Sequence, residues 1–121
     1  MQVTSQNLVA ADFLSTDSAP PLTCDVSGAP SDLTLANTGT GSASVIGVVI
    51  DWAGAVNYFS VPGTCIVEPA GHAGATDDGN PISILFGTVD HLGVNAVAGQ
   101  TYTGEVNLAD GTQVPFSGTF K

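Results

Sequence analysis

One stretch of chain, TYTGEVNLADGTQVPFSGTF at residues 101–120, narrows the choice of fold more than any other. Tyr102, Val106 and Leu108 alternate with Thr103, Glu105 and Asn107. After Ala-Asp-Gly, Val114, Phe116 and Phe120 alternate with Gln113, Pro115 and Thr119. A period of two places one set of side chains on a buried face and the other in water, which only a β-strand does. Asp110-Gly111 between the two runs is a strong signal for a tight hairpin turn. Pro115 lacks an N–H, so the final strand is expected at a sheet edge or at a bulge.

The same pattern extends back through the chain. Short apolar runs at 22–26, 33–37, 43–51, 55–61, 64–68 and 82–88 precede the closing pair at 101–108 and 112–120, with turn sequences such as NTGTGS and WAGA between them. Eleven of the fifteen glycines and six of the seven prolines fall outside these runs, and EPAGHAGATDDGNP is a long Gly/Pro/Asp loop. Seven or eight short strands at this spacing predict an all-β sandwich or barrel, and 121 residues suffice for one domain with one modest core. LTLANTGTGSASVIGVVID, residues 33–51, is bare of charge from Thr34 to Ile50. Val45, Val48 and Ile50 cannot share one face of a strictly alternating strand, so the run reads as apolar on both faces. A strand of that kind is covered on both sides, by a loop, by the N-terminal segment or by a neighbouring subunit.

Residues 1–21 stand apart from the sandwich at 22–121. Val3, Asn7, Ala10, Ala11 and Leu14 would share a helical face, whereas Val9, Ala11 and Phe13 would share a strand face. The spacing leaves helix and strand open. Pro20-Pro21 closes the segment, which is read as an arm or linker. No signal peptide is visible, so an exported chain is expected to have lost its leader. No apolar run is long enough for a membrane-spanning helix; the longest, VIGVVI, is far too short.

Charge excludes several functions. Eleven acidic residues face a single Lys121 and no arginine, giving a formal charge of −10. Binding to nucleic acid or to an anionic membrane surface requires cations that this chain lacks. Charged residues are 10% of the total, against roughly 25% in ordinary domains. Ser, Thr, Asn, Gly and Ala must therefore cover the exterior. Cys24 and Cys65 are too far apart, and too few, for a zinc site. Each lies in a strand-like stretch, LTCDV and GTCIV. A disulfide between them would stabilise the fold by about 4 kcal/mol and would imply an oxidising compartment. The alternative is two separately buried thiols.

Taken in order, three segments resemble the head domains of archaeal type IV pilins and archaellins. LTLANTGTGSASVIGVVIDWAG is similar to their strand–NTG–strand hairpin, IVEPAGHA to the corner that follows, and VAGQTYTGEVNLADGTQVPFSGTF to their closing hairpin. The resemblance covers about residues 33–120. It implies an immunoglobulin-like sandwich that serves as a non-enzymatic structural subunit of an extracellular filament, with copies of itself as partners. Those pilins polymerise through a long apolar N-terminal helix that this sequence does not contain. The arm is then either a helix remnant or a donor strand that completes the sheet of the next subunit. Asn7, Leu8, Val9, Phe13 and Leu14 are the expected assembly residues of the arm, with Val45, Val48 and Ile50 on the receiving surface. The glycans that decorate such heads do not carry over, because no N-x-S/T sequence occurs.

Other chemistry has thinner support. Asp77, Asp78 and Asn80 on the TDDGN loop are oxygen donors suited to Ca²⁺, but their spacing does not match an EF-hand, and a solvated acidic loop with Asx turns is the favoured reading. His72, Asp90 and His91 are the only candidates for zinc or copper, and no cofactor is expected. No nucleophile elbow or phosphate loop is present, so the chain reads as a non-enzyme. The alternative function is a secreted carbohydrate-binding or adhesin module using Trp52, Tyr58, Phe59 and Tyr102. Trp52 is the expected glycan contact, because it follows the bare strand and begins a turn. Tyr58 and Phe59 are adjacent, so one must point inward and the other outward.

Overall fold

The computed structural model describes residues 1–13, 22–27, 31–86 and 95–121. The strands in these residues are β1 (Gln2–Asn7), β2 (Thr23–Asp25), β3 (Asp32–Ala36), β4 (Ala43–Trp52), β5 (Ala55–Ser60), β6 (Ile66–Val67), β7 (Asp78–Gly79), β8 (Ile82–Leu85), β9 (Thr101–Leu108) and β10 (Gln113–Thr119). One short 3₁₀ turn spans Ala10–Asp12. Two sheets form a β-sandwich. The first has the order β1-β3-β8-β2. The second runs β10-β9-β4-β6-β7, with β5 also paired to β4. Pairing is antiparallel except between β6 and β7, which are parallel. Among the described residues no helix is long and apolar enough to cross a membrane.

The core lies between the sheets and follows the alternation of the strands. Leu33 and Leu35 of β3, Ile82 and Ile84 of β8, and Cys24 of β2 point in from the first sheet. Val45, Val48, Ile50 and Trp52 of β4 meet them from the second, with Phe59, Val106, Val114 and Phe116. The Cys24–Cys65 disulfide joins β2 to the loop before β6 and so ties the two sheets together across a 41-residue separation. Closing that loop removes about 4 kcal/mol of unfolded-chain entropy.

Two features depart from the sequence reading. The NTGTGS segment does not close a hairpin, because β3 and β4 belong to opposite sheets and the turn carries the chain between them. Asn37 holds this crossing. Its Nδ2 donates to the carbonyls of Gly41 (2.8 Å) and Val67 (3.1 Å), and its Oδ1 accepts from Gly39 N–H (2.8 Å). Asn80 clasps its backbone, accepting from Asn37 N–H and donating to Asn37 C=O. The second departure is a β-bulge in β4. Val45 pairs with Leu108 and Gly47 with Asn107, which leaves Ile46 as an extra residue. A bulge shifts the alternation by one position. Val45, Val48 and Ile50 therefore do share a face, and it is the inner one.

Candidate functional site

The N-terminal residues belong to the sandwich. β1 pairs with β3 from Gln2↔Ala36 to Asn7↔Asp32, with its own bulge between Val3 and Ser5. It is a strand, which removes the helix-remnant reading of the arm. Gln6 faces inward, and its Oε1 accepts a hydrogen bond from the Tyr102 hydroxyl of the opposite sheet (2.6 Å). Beyond β1 the chain crosses the open end of the sandwich. Lys121 N–H donates to Leu8 C=O, and Ala10 N–H donates to Lys121 C=O, both at 2.9 Å. The buried Ser31 hydroxyl accepts from Val9 N–H (3.1 Å) and donates to Asp12 (2.6 Å).

Phe13 is 0% exposed and stands at the hub of an aromatic cluster. Its ring centroid lies 5.3 Å from that of Phe120, 5.4 Å from Phe86, 5.9 Å from Trp52 and 6.1 Å from Phe59. The arm residues expected to reach a neighbour thus meet different fates. Leu8 and Phe13 are buried in the chain's own core, Asn7 and Val9 are half-buried, and Leu14 lies outside the described residues. A boundary at residue 21 does not separate residues 1–13 from the sandwich.

The hairpin residues named for a receiving surface do not form one. Val45, Val48 and Ile50 are buried between the sheets because of the bulge in β4. Trp52 is likewise 2% exposed and packs edge-on to Phe13 and Phe120, so it cannot contact a glycan. It falls on the inner face because β4 continues its alternation through Ile50 to Trp52 before the turn. Phe59 and Tyr102 are also buried, and of the four aromatic candidates Tyr58 alone is exposed.

The acidic loop forms no metal cradle. Asn80 is engaged with the backbone of Asn37, Asp78 accepts from Ala75 N–H, and Asp77 is exposed. His72 Nε2 lies 3.9 Å from Glu68 Oε2. Among the described residues no group of three or more His, Cys, Asp or Glu side chains is placed to hold a metal ion. Asp90 and His91 lie outside the described residues.

On the outer face of the second sheet the sequence pointed to Tyr58 alone and missed the residues that surround it. The β4–β5 register sets Val49 opposite Tyr58 and Asp51 opposite Val56. The β4–β9 register sets Val49 opposite Glu105 and Asp51 opposite Thr103. These side chains surround a shallow groove of about 300 Å³ lined by Val49, Asp51, Val56, Thr103, Gly104 and Glu105. Ile46, Val56 and Tyr58 are 46%, 69% and 56% exposed on this same face. The sequence signal was present in the adjacency of Tyr58 and Phe59, but only the register shows which of them faces out.

A scan against protein-family models finds no match for this sequence, and a search of curated proteins finds none either.

Proposed function

We propose that this protein is a structural, non-enzymatic subunit of an extracellular surface filament of the archaeal pilin kind, joined to its neighbours through its N-terminal segment. The observation that carries the reading is the double role of residues 1–13. They supply an edge strand to one sheet and Phe13 to the centre of the aromatic cluster. They connect to the rest of the sandwich in sequence through residues 14–21, which end in two prolines. In an exchanged assembly this segment would make in the next subunit the contacts it makes here in its own. Passing it from copy to copy is donor-strand addition, a head-to-tail contact that propagates without closing. The inter-sheet disulfide supports an oxidising, extracellular setting.

A paired-cysteine variant tests the exchange. Ser5 and Thr34 are cross-strand partners of β1 and β3. In a Ser5→Cys/Thr34→Cys protein, oxidation of exchanged subunits should yield covalent ladders on a non-reducing gel, together with filaments in negative stain. Crosslinking confined to single chains, with a monomeric particle by size exclusion, would refute the proposal.

A further inference from the structure

We propose that the outer face of β4, β5 and β9 is a binding site for a neutral saccharide, with Tyr58 as its stacking platform and Asp51, Thr103 and Glu105 as its hydrogen-bonding wall. The inference starts from Gly47. A Cβ built on Gly47 would lie 2.6 Å from the Tyr58 hydroxyl oxygen and 3.0 Å from Cε2, so the tyrosine ring lies down across the sheet where the glycine leaves space. The ring is held from below and is still 56% exposed, which presents an aromatic surface to solvent. The C–H face of a pyranose is the kind of surface that stacks on such a ring.

The groove begins beside this platform, since Val49 is the cross-strand partner of Tyr58 and also lines the groove. Its volume, about 300 Å³, is at the lower end for small-molecule sites. Two carboxylates and a threonine hydroxyl border it, along with the apolar side chains of Val49 and Val56. A carboxylate accepts two or more hydrogen bonds, which suits the adjacent hydroxyls of a sugar. An independent observation comes from the next residue pair along. Asn107, the partner of Gly47, faces the same side, and its Oδ1 is shielded without a hydrogen-bond partner. The formal charge of −10 and the two carboxylates at the groove disfavour acidic sugars. A lysine-rich peptide is the competing occupant, since an ammonium also packs on a tyrosine ring, but the Thr103 hydroxyl and the apolar Val49 and Val56 in the same groove match the mixed C–H and O–H faces of a sugar.

Titration of the full-length protein, followed by its amide resonances, decides the matter. The probes are cellobiose, maltose, mannobiose and chitobiose at millimolar concentration, with pentalysine as the contrasting ligand. At least one disaccharide should saturably shift Gly47, Val49, Asp51 and Glu105. Tyr58→Ala should weaken that binding on the order of tenfold. Tyr58→Phe should retain it and Glu105→Gln should weaken it, in proteins whose remaining resonances are unmoved. The inference is overturned if no disaccharide shifts these residues, if Tyr58→Ala binds as the parent does, or if pentalysine alone occupies the face. None of these outcomes depends on whether the protein forms filaments.

Discussion

Replacing Phe13 by alanine separates two pictures of the N-terminal segment: a loose arm whose apolar residues wait for a neighbour, and an integral part of the sandwich. In the first picture the isolated subunit would hardly register the change. In the second, the side chain removed is fully buried and in ring contact with Trp52, Phe59, Phe86 and Phe120. Truncating a buried phenylalanine costs about 3–5 kcal/mol in lost transfer energy and residual cavity. The four ring contacts place this site toward the upper part of that range. A stability change of about 4 kcal/mol corresponds to a fall in melting temperature of about 15 °C for a chain of this size. It also removes a large share of the 5–15 kcal/mol typical of a whole domain. The assay is reversible urea denaturation followed by tryptophan fluorescence, which is apt because Trp52 touches the mutated ring. An unchanged slope with a lowered midpoint would confirm that stability alone has moved. A loss below about 1 kcal/mol would refute the central placement of Phe13 and return the segment to the status of an external arm.

Four further outcomes follow from the packing. A Cys24→Ala/Cys65→Ala protein should lose about 4 kcal/mol in thermal or chemical denaturation, and a loss under about 1 kcal/mol would mean that the bridge adds little to the two-sheet clamp. Asn37→Ala leaves Gly39 N–H and the Gly41 and Val67 carbonyls without their side-chain partner, so denaturation should reveal a loss of about 2–3 kcal/mol. The two-residue turn between β4 and β5 holds Ala53 at φ 54° and Gly54 at φ 76°, the left-handed pair that this hairpin turn requires. Ala53→Gly should therefore raise stability by about 0.5 kcal/mol, the relief at φ > 0 exceeding the added chain entropy; a lower melting temperature would contradict this. Burial raises the pKa of Tyr102 above the ordinary tyrosine value, so the fold favours its neutral form. That stability is fully present below about pH 10 and is lost as pH rises through the folded pKa, and Tyr102→Phe should flatten this alkaline decline in a pH series of melting curves.

Local pattern revealed much of the fold. The alternation of 101–120 and its Asp-Gly turn became β9 and β10, and each of the other apolar runs contains a strand where one was expected. The two cysteines in strand-like stretches are bonded to each other. What stayed illegible depends on neighbours distant in sequence. β1 shows no clean period of two because of the bulge between Val3 and Ser5, and it is a strand only because β3 lies beside it. β7 is two residues long and exists through its pairing with β6. The bulge at Ile46 likewise comes from the β4–β9 register, and a reading by strict alternation had to place Val45 and Val48 on opposite faces. Trp52 looked like an exposed turn residue because it borders Ala53-Gly54, although it is the last inward position of β4.

These corrections change the meaning of the bare stretch at 34–50. Its lack of charge has a sufficient cause inside one subunit. β3 lies between β1 and β8, and β4 lies between β9 on one side and β5 with β6 on the other, so both are interior strands of opposing sheets. An interior strand facing a core has little use for charge on its inner face, and the turn that joins these two is held by the neutral amide of Asn37. The stretch is therefore not itself a signal for subunit contact. The exposed apolar surface left over among the described residues is much smaller: Val26 and Val97 stand apart, and Ile46, Val56 and Tyr58 lie near the groove. That division assigns separate tasks to separate places. The N-terminal segment can be shared between copies only if its core contacts are reproduced in the neighbour, whereas the Tyr58 face stays open whichever subunit supplies β1. Under the two proposals, Tyr58→Ala should accordingly weaken ligand binding and leave assembly unchanged, whereas Phe13→Ala acts through the stability of the whole sandwich.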